Sequence, residues 1–318
     1  MGFYQPSQLV IDAQKHGVKV RPVDVNISSW DNTLEEPEGE YRAIRLGFRQ
    51  VKGLAEKDAL ALIAGRTGPY KAIHLMRDAG VSQEALEKLA DADAFRSMGM
   101  DRRQAMWEAS ALSDRPMGAF AGHQSASEFE APVELPKLSL SEHVVQDYMS
   151  TSLSLKAHPV SFVRQDLTAK RVVKTVDLSK LRDKQFVRVA GLVLVRQRPG
   201  TAGGVCFITI EDESGVANLV VFQSLFEKYR KEILRSRLLM VEGKLQIEGE
   251  VIHVVVRRCY DMSPLLRNLN QKDEDPDVLT LSRADEKDEY ISQSVNRKTQ
   301  VRKKAVQLEI FPSGRNFR

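Results

Sequence analysis

Asp91 and Asp93 form the carboxylate pair whose spacing first suggests chemistry in this sequence. Two acids held close together can bind the pair of metal ions used in metal-assisted displacement reactions. This pair falls in a short turn between two helical patterns, where no strand would hold the carboxylates in place. We therefore reject a metal-dependent catalytic centre as the role of these two residues.

Histidine and cysteine give no better candidate for a metal or a nucleophile. The six histidines are scattered, and none is spaced with a cysteine as a ligand pair. Cys206 and Cys259 both fall in predicted strands, a placement typical of buried, reduced thiols rather than of a disulfide framework. The sequence predicts no cofactor bound by this chain.

A small closed barrel is predicted over residues 179–266. Alternating, β-branched runs indicate five strands, with a helix predicted at Gln223–Leu234 between the third and the fourth. The predicted strands are Phe186–Arg198, Val205–Ile210, Val216–Phe222, Leu238–Gln246 and Val251–Arg258. This order is the one expected of an OB-fold, and Gly191 within the first strand indicates a sharp bend.

Positive charge and rings accompany these strands. OB-folds that bind single-stranded nucleic acid combine a cationic groove with rings on which bases stack. The candidate residues for that role are Arg188, Arg196, Arg198, Phe207, Lys244 and His253, with Phe222 as a further ring and Arg257 and Arg258 as further charge. Two alternatives stay open: Phe207 and Phe222 could belong to the barrel core, and the arginines could be ordinary solvated charge.

A helix-hairpin-helix pattern is predicted around Val51–Leu54, between helical runs at Leu46–Gln50 and from Ala55 onward. A glycine in such a hairpin lets backbone amides and the start of the next helix face a phosphate. Lys52, Gly53 and Lys57 are therefore candidate contacts to duplex DNA, which would position the duplex without reading bases. An ordinary helical hairpin with a glycine turn is the alternative.

A degenerate second copy is predicted over Ser82–Glu108. Ser82 is a good N-cap for one helix, and Asp101 can cap a second helix that carries Arg102 and Arg103. These two arginines are added to the candidate DNA contacts. The turn between the two helices is predicted at Ala90–Phe95.

The remaining segments complete an α+β, multidomain organisation. Residues 1–40 are predicted to hold a helix at Ser7–Lys15, an extended segment and a polar loop at Ser28–Glu40. Residues 41–112 form the tandem helix-hairpin-helix region, and residues 113–178 form a linker with a helix at Leu138–Tyr148. Residues 267–318 are predicted to be a disordered, mobile basic tail, with eight acids and three bases in residues 272–289 before a basic stretch.

Composition fits a soluble protein with ample length for a core. Apolar residues make up 42% and charged residues 28% of 318 residues, and the net charge is +4. No apolar run approaches the roughly 20 residues that span a bilayer, and the N-terminus lacks a signal pattern. We expect a cytoplasmic protein without a membrane partner.

Several stretches resemble the bacterial family C (polymerase III α-type) DNA polymerases: the first two given below resemble the end of the family's fingers region, and the others its error-prone, damage-tolerant branch. The resemblance covers roughly residues 1–270. The stretches that carry it are Met1–Val10, His16–Asn26, Ala90–Trp107, Arg196–Gly204, Gly243–Gln246 and Val251–His253. Ser152 departs from the pattern, because the family usually has glycine there, and the ending Ser313–Arg318 is only related to the family's Ser-Arg-Asp-Phe ending.

The resemblance implies that residues 1–40 end a fingers region and that the catalytic aspartates, with their Mg²⁺, lie in a palm domain upstream of this chain. It implies a C-terminal third of such a polymerase, either a fragment or the second half of a split gene, inactive by itself and partnered by the remaining polymerase domains and by primer-template DNA. The alternative is a protein-interaction module that docks accessory mutagenesis proteins and the sliding clamp.

A short apolar peptide lies within the predicted tail. Gln307, Leu308, Ile310 and Phe311 are similar to the Gln-Leu-x-Leu-Phe peptide that bacterial polymerases insert into the sliding clamp. An amide and apolar anchors on a mobile segment suit capture by a preformed groove. A terminal segment that packs on its own protein is the alternative.

Overall fold

A computed structural model describes residues 6–112, 135–249, 251–267, 269 and 315–317. The chain divides into two compact units, Met1–Leu155 and Lys156–Arg318. Within the described residues, no helix is long and apolar enough to cross a membrane.

The first unit begins with a helix, α1 (Pro6–Lys15), and a three-stranded sheet. Its strands β1 (Val20–Arg21), β2 (Thr33–Glu38) and β3 (Tyr41–Arg45) lie in the order β1-β3-β2, with β1 parallel and β2 antiparallel to β3. The prediction of a loop over residues 28–40 is wrong for β2. Its polar sequence is not typical of a strand, but the strand is stabilised by an ion pair between Glu35 and the buried Arg45, 2.7 Å apart.

Helices build the rest of this unit. After a 3₁₀ helix at Phe48–Gln50, the unit contains α2 (Glu56–Gly65), α3 (Ile73–Asp78), α4 (Gln83–Asp91), a 3₁₀ helix at Arg96–Met98, α5 (Arg102–Ala111) and α6 (Leu140–Thr151). The helical run predicted at Leu46–Gln50 is wrong, because only one 3₁₀ turn, Phe48–Gln50, stands between the end of β3 and the hairpin. The sequence interpretation also missed α3, which has only six residues.

The helix α6 belongs to the first unit rather than to a linker. Ser139 and Glu142 form a capping box at its start, and a buried ion pair between Asp147 and Arg102 joins it to α5. Ser152 ends α6 with φ +63°, the left-handed conformation that glycine adopts most easily. The segment predicted as linker, residues 113–178, is thus divided between the two units.

The second unit opens with short helices and then forms the barrel. Its elements are α7 (Pro159–Phe162), α8 (Arg164–Ala169), a 3₁₀ helix at Thr175–Lys180, β4 (Phe186–Gln197), β5 (Cys206–Asp212), β6 (Gly215–Val221), α9 (Gln223–Lys228), α10 (Arg230–Arg235), β7 (Leu238–Glu248), β8 (Val251–Asp261) and α11 (Ser263–Arg267).

Five of these strands close into a barrel. They lie in the order β5-β6-β8-β7-β4, the pairing of β5 with β4 closes the ring, and β6 runs parallel to β8. Gly191 stands where β4 changes partner from β7 to β5, and a Cβ there would lie 2.6 Å from the carbonyl oxygen of Glu211. The five-stranded OB-fold, with helices between its third and fourth strands, is confirmed.

Asp212 attaches the segment before the barrel to the barrel itself. Its buried carboxylate accepts hydrogen bonds from Thr175 and Ser214 and pairs with Arg164 at 3.0 Å. Burial acts to raise the pKa of Asp212, but the hydrogen bonds from Ser214 and Thr175 outweigh burial and hold the pKa below its ordinary value. The turn after β5 therefore fixes the chain that enters the barrel.

The two cysteines are in the state that the sequence predicts, whereas the described part of the chain end is not. Cys206 and Cys259 are free and buried, as predicted, and burial raises the pKa of Cys259 to about 12. Arg315–Phe317, within the predicted mobile tail, instead forms a strand, β9, parallel to Val195–Gln197 of β4. The predicted clamp-binding residues 307–311 lie outside the described residues.

Candidate nucleic-acid interface

The first hairpin places an exposed glycine between two buried apolar residues. Val51 and Leu54 are buried, whereas Gly53 is exposed and adopts φ +72°. The carbonyl of Gly53 accepts a hydrogen bond of 2.6 Å from the ammonium of Lys88 in α4, which holds the hairpin in place. This geometry permits the close backbone approach that a hairpin–phosphate contact requires.

The start of α2 follows this hairpin directly. Its N-cap residue, Ala55, supplies no side-chain hydrogen bond to the first turn. Amide groups of an uncapped first turn point outward and favour an anion. Lys57 is exposed in this turn and adds positive charge, although the exposed carboxylate of Glu56 beside it opposes an anion.

Lys52 does not serve as the free phosphate ligand that the sequence predicts. Its ammonium lies 2.7 Å from the carbonyl oxygen of Tyr148 and 2.9 Å from that of Met149. Burial lowers the pKa of this lysine. Lys52 is exposed, but two of its three ammonium donors are engaged by carbonyls in the last turn of α6, where a cation is favourable, so it is less free for a phosphate than the sequence predicts.

Arg102 is likewise internal, which corrects its predicted role as a DNA contact. Its side chain is buried, with one guanidinium nitrogen 2.5 Å from Asp147 and another donating to the carbonyl oxygen of His143. Arg103 pairs with Glu142 at 3.3 Å and donates to the carbonyl oxygen of Pro136, so two of its five donors are engaged within the unit.

A second hairpin lies where the sequence interpretation did not place it. Ala79–Ser82 joins α3 to α4, and Gly80 there adopts φ +92° with open space around it. The missed signal was Gly80, two residues before the predicted N-cap Ser82, which caps α4 through a hydrogen bond from the amide of Ala85. A glycine with positive φ before a helix repeats the first hairpin, but α4 has a side-chain cap whereas α2 has none.

In the barrel, Arg196 is structural, contrary to its predicted contact with a single strand. Only 4% of its surface is exposed, and its guanidinium donates to the carbonyl oxygens of Ile233 and Ser236 at the end of α10. Burial lowers its pKa. A register shift between Val193 and Val195 interrupts the alternation of β4 and turns Arg196 inward.

Two further predicted arginines have partners inside the unit. Arg188 is exposed but pairs with Glu242 at 2.6 Å. Arg198 lies over the ring of Phe226, 4.6 Å from its centre, and donates to the carbonyl oxygen of Gly204. Both side chains are held in defined positions, and neither is as free as the sequence suggests.

The rings of Phe207 and Phe222 are not barrel core. Phe207 is 38% exposed and Phe222 is 53% exposed, so the alternative that assigns them to the core is wrong. His253 is half-buried on β8 and is paired in register with Asn218 of β6.

The strand register places outward residues in a row across the barrel. Phe207 pairs with Val220, which pairs with Val255, and Val255 pairs with Lys244, whose own partner on β4 is Phe186. The sequence interpretation missed Phe186, although its alternation with the buried Val187 was a usable signal. This row, from Phe207 to Phe186, is the surface on which a ligand could lie across the strands.

No metal centre is found among the described residues, which show no group of three or more potential ligands. Asp93 is buried and its carboxylate pairs with Arg96, with φ +59° at Asp93 itself. Burial raises the pKa of Asp91. The two carboxylates thus sit in different surroundings.

The helix-hairpin-helix motif family matches residues 17–105, and the OB-fold nucleic acid binding domain family matches residues 187–262. The first match spans the predicted boundary at residue 40, in agreement with the pairing of β1 and β2 with β3. Among solved structures, asparaginyl-tRNA synthetase from Pyrococcus horikoshii is 23% identical, covers 31% of this chain and 29% of its own, and has a TM-score of 0.25, too low to support an inference.

Two curated relatives carry more weight. Error-prone DNA polymerase 1 of Rhizobium meliloti (strain 1021) is 45% identical over 298 residues, and error-prone DNA polymerase 2 of Agrobacterium fabrum (strain C58) is 48% identical over 283 residues. Each match covers 86% of this chain but only 26% of the relative, so the chain spans about a quarter of the length of these polymerases. The chain is therefore homologous to error-prone DNA polymerases, and its helix-hairpin-helix and OB-fold domains fit a C-terminal part of such an enzyme.

Proposed function

We propose that this chain is the DNA-binding portion of an error-prone DNA polymerase that works in damage-tolerant replication or repair. The observation that carries the proposal is the similarity of 45% over 86% of the chain to such polymerases, together with two nucleic-acid-binding folds in one chain. The proposal assigns nucleotidyl transfer to palm carboxylates and Mg²⁺ elsewhere in the polymerase. This chain then positions the primer-template for them.

The hairpin before α2 grips the duplex in this proposal. Backbone amides near Gly53 and the uncapped first turn of α2 meet a phosphate, and Lys57 adds charge. Such contacts hold any sequence equally, as a polymerase requires. Lys52 supports the arrangement indirectly by joining the hairpin to α6.

The OB-fold holds single-stranded template in the same proposal. Phe207 offers an exposed ring, Lys244 offers a cation on the same row, and His253 lies on the neighbouring row of β8. Rings stack with any base, and cations meet phosphates, so the barrel would bind single strands without strong sequence preference.

Binding of the full chain to duplex and single-stranded oligonucleotides, measured by fluorescence anisotropy from about 50 to about 300 mM salt, tests this function. We expect both ligands to bind, with affinity falling as salt rises, and no incorporation of nucleotides by the chain alone. Equal indifference to both oligonucleotides at low salt would refute the proposal. So would primer extension by the purified chain.

A second candidate is a protein-docking module, and one observation favours it. The edge of β4 at Val195–Gln197 accepts the added strand Arg315–Phe317, which is how sheet edges capture peptides. The clamp-binding segment, residues 307–311, precedes this strand in the sequence. Clamp binding by a peptide of residues 303–318, compared with its Leu308→Ala and Phe311→Ala forms, tests this candidate; equal binding by all three would refute it.

A further inference from the structure

A groove opens at the Phe186 end of the barrel, and of its lining residues the sequence singled out only Arg188. Its volume is about 370 Å³. One wall is the segment that enters the barrel, and the other is formed by the first residues of β4 with their neighbour on β7. The lining residues are Arg171, Val173, Leu181, Gln185, Phe186, Val187, Arg188 and Glu242.

Phe186 is an exposed ring held by two cations. It is 57% exposed, with the ammonium of Lys244 5.4 Å and the guanidinium of Arg257 4.9 Å from the ring centre. Cation–π contacts of this kind restrain the ring and its neighbours without consuming the charge. The site is therefore partly ordered before any ligand binds.

The cations at this groove outnumber its acids. Its lining holds Arg171 and Arg188 against one acid, Glu242. Lys244 and Arg257 are not part of the lining but border it beside the ring of Phe186. Glu242 faces Arg188 and Arg258, and within the described part of the chain neither Lys244 nor Arg257 forms an ion pair. Arg171 lines the groove and is exposed as well. An anionic ligand would thus find several cations here, unlike at Arg196, where the guanidinium is buried.

A ring beside cations selects a particular kind of anion. A nucleotide unit offers a flat base for the ring and a phosphate for the cations, whereas an acidic peptide would use the cations alone. The row of paired residues from Phe207 to Phe186 gives a single strand a continuous path to the groove.

We propose that this groove is a nucleotide-binding site of the single-strand path, with a base stacked on Phe186 and phosphates at Lys244, Arg257 and Arg171. The proposal rests on the proposed DNA-binding function and deepens it. It places the main single-strand contacts at the start of β4 rather than at Arg196 and Arg198 near its end.

Anisotropy of a labelled oligothymidylate with the full chain tests the site. We expect Phe186→Ala and Phe186→Leu to weaken binding about tenfold each, the loss typical of one base stack. The leucine form keeps apolar bulk and so isolates the ring. The double variant Lys244→Gln/Arg257→Gln should lower the log–log salt slope by about 1.4, because each phosphate that is no longer neutralised reduces the slope by about 0.7. Lys231→Gln, an exposed cation on α10, is the matched control and should leave binding unchanged.

Three outcomes decide against the inference or against its basis. If Phe207→Ala weakens binding while both Phe186 variants bind like the wild type, the groove is not the site, although the DNA-binding function stands. If polyglutamate competes as well as an unlabelled oligonucleotide and Phe186→Leu has no effect, the groove binds acidic chains instead. If the wild-type chain binds no single strand at low salt, the proposed function itself fails.

Discussion

The hairpin of the first unit and the barrel of the second would meet phosphate with different atoms. At the hairpin, Arg102 is buried against a carboxylate and the exposed Lys52 donates to internal carbonyls, so the groups that face solvent without such partners are backbone amides beside Gly53 and the side chain of Lys57. At the barrel, the backbone amides are used in strand pairing, and the groups at the surface are side chains such as the exposed Phe186 and Arg257 and the half-buried Lys244.

This difference separates two ways of binding the same polymer. Amides at a hairpin need exact backbone geometry and suit the fixed spacing of duplex phosphates. Flexible cations and a ring tolerate the variable path of a single strand. Substitutions that change backbone geometry should therefore affect duplex binding, whereas substitutions of side chains should affect binding of single strands.

The largest effect is expected for Arg102→Ala, which tests whether this arginine is structural. The change leaves the buried carboxylate of Asp147 without its ion pair, so the free energy of unfolding of the first unit should fall by about 3–5 kcal/mol. Urea unfolding followed by tryptophan fluorescence reports on this unit, because the two tryptophans of the chain, Trp30 and Trp107, lie within it. The control is Arg103→Ala, at the neighbouring and less buried arginine, which should lower the free energy of unfolding by less than about 1 kcal/mol. Equal losses in the two variants would contradict a structural role for Arg102.

A comparable structural effect is expected in the barrel unit for Asp212→Asn, with a pH signature. The pKa of Asp212 is lowered in the folded state, so its contribution to stability is complete above the unfolded value of about 3.9 and is lost as the pH falls through the folded value. At pH 7 the variant should lose about 2 kcal/mol, because the buried hydrogen bonds to a charged carboxylate are weakened. Arg164 keeps its ion pair with Glu213 at 2.6 Å, so its charge is not left without a partner.

Urea unfolding followed by circular dichroism at pH 7 and pH 3 measures this effect. The gap between wild type and variant should narrow in acid. An equal gap at both pH values would show that the carboxylate charge of Asp212 does not stabilise the fold.

A smaller effect, on binding, is expected for Gly53→Ala. Gly53 adopts φ +72°, and an L residue in that region costs about 1–2 kcal/mol. Distortion of the hairpin should therefore weaken duplex binding several-fold. Gly99→Ala, with φ +77° in the turn before α5, introduces the same strain away from the hairpin and is the matched control. Equal losses of duplex affinity in both variants would indicate general destabilisation rather than a hairpin contact.

The smallest effect is expected for Lys57→Gln. Loss of one phosphate neutralised by a side chain should reduce the salt slope for duplex binding by about 0.9. Lys15→Gln, an exposed lysine at the end of α1, should leave the slope unchanged. An unchanged salt slope in the Lys57→Gln variant would mean that Lys57 contacts no phosphate and that only backbone groups bind the duplex at the hairpin.

The barrel could be predicted from the sequence because the patterns that specify its strands are local along the chain. Alternating strands and Gly191 indicate strand order and bend without knowledge of any distant partner. The side-chain environments of Lys52 and Arg102 could not be predicted, because their partners are distant in the sequence. Lys52 binds a carbonyl 96 residues away, and Arg102 pairs with a residue 45 positions away. No sequence pattern indicates such pairs.

Arg196 and Phe186 show a second limit of sequence reasoning. Regular alternation makes Arg196 an outward residue, but the bulge after Val193 turns it inward. Phe186 is not among the rings that the sequence analysis names, and its regular pairing with Lys244 places it on the outside of the barrel. Register decides both cases: a bulge that depends on tertiary packing for Arg196, and the cross-strand partner for Phe186.

The most direct test of the account crosses two variants with two ligands. The full chain carrying Gly53→Ala or Phe186→Leu is titrated with a duplex and with a single-stranded oligonucleotide in the same buffer. We expect the glycine variant to lose affinity for the duplex alone and the phenylalanine variant to lose affinity for the single strand alone. Parallel losses for both ligands in either variant would contradict the division of DNA binding between the hairpin and the barrel.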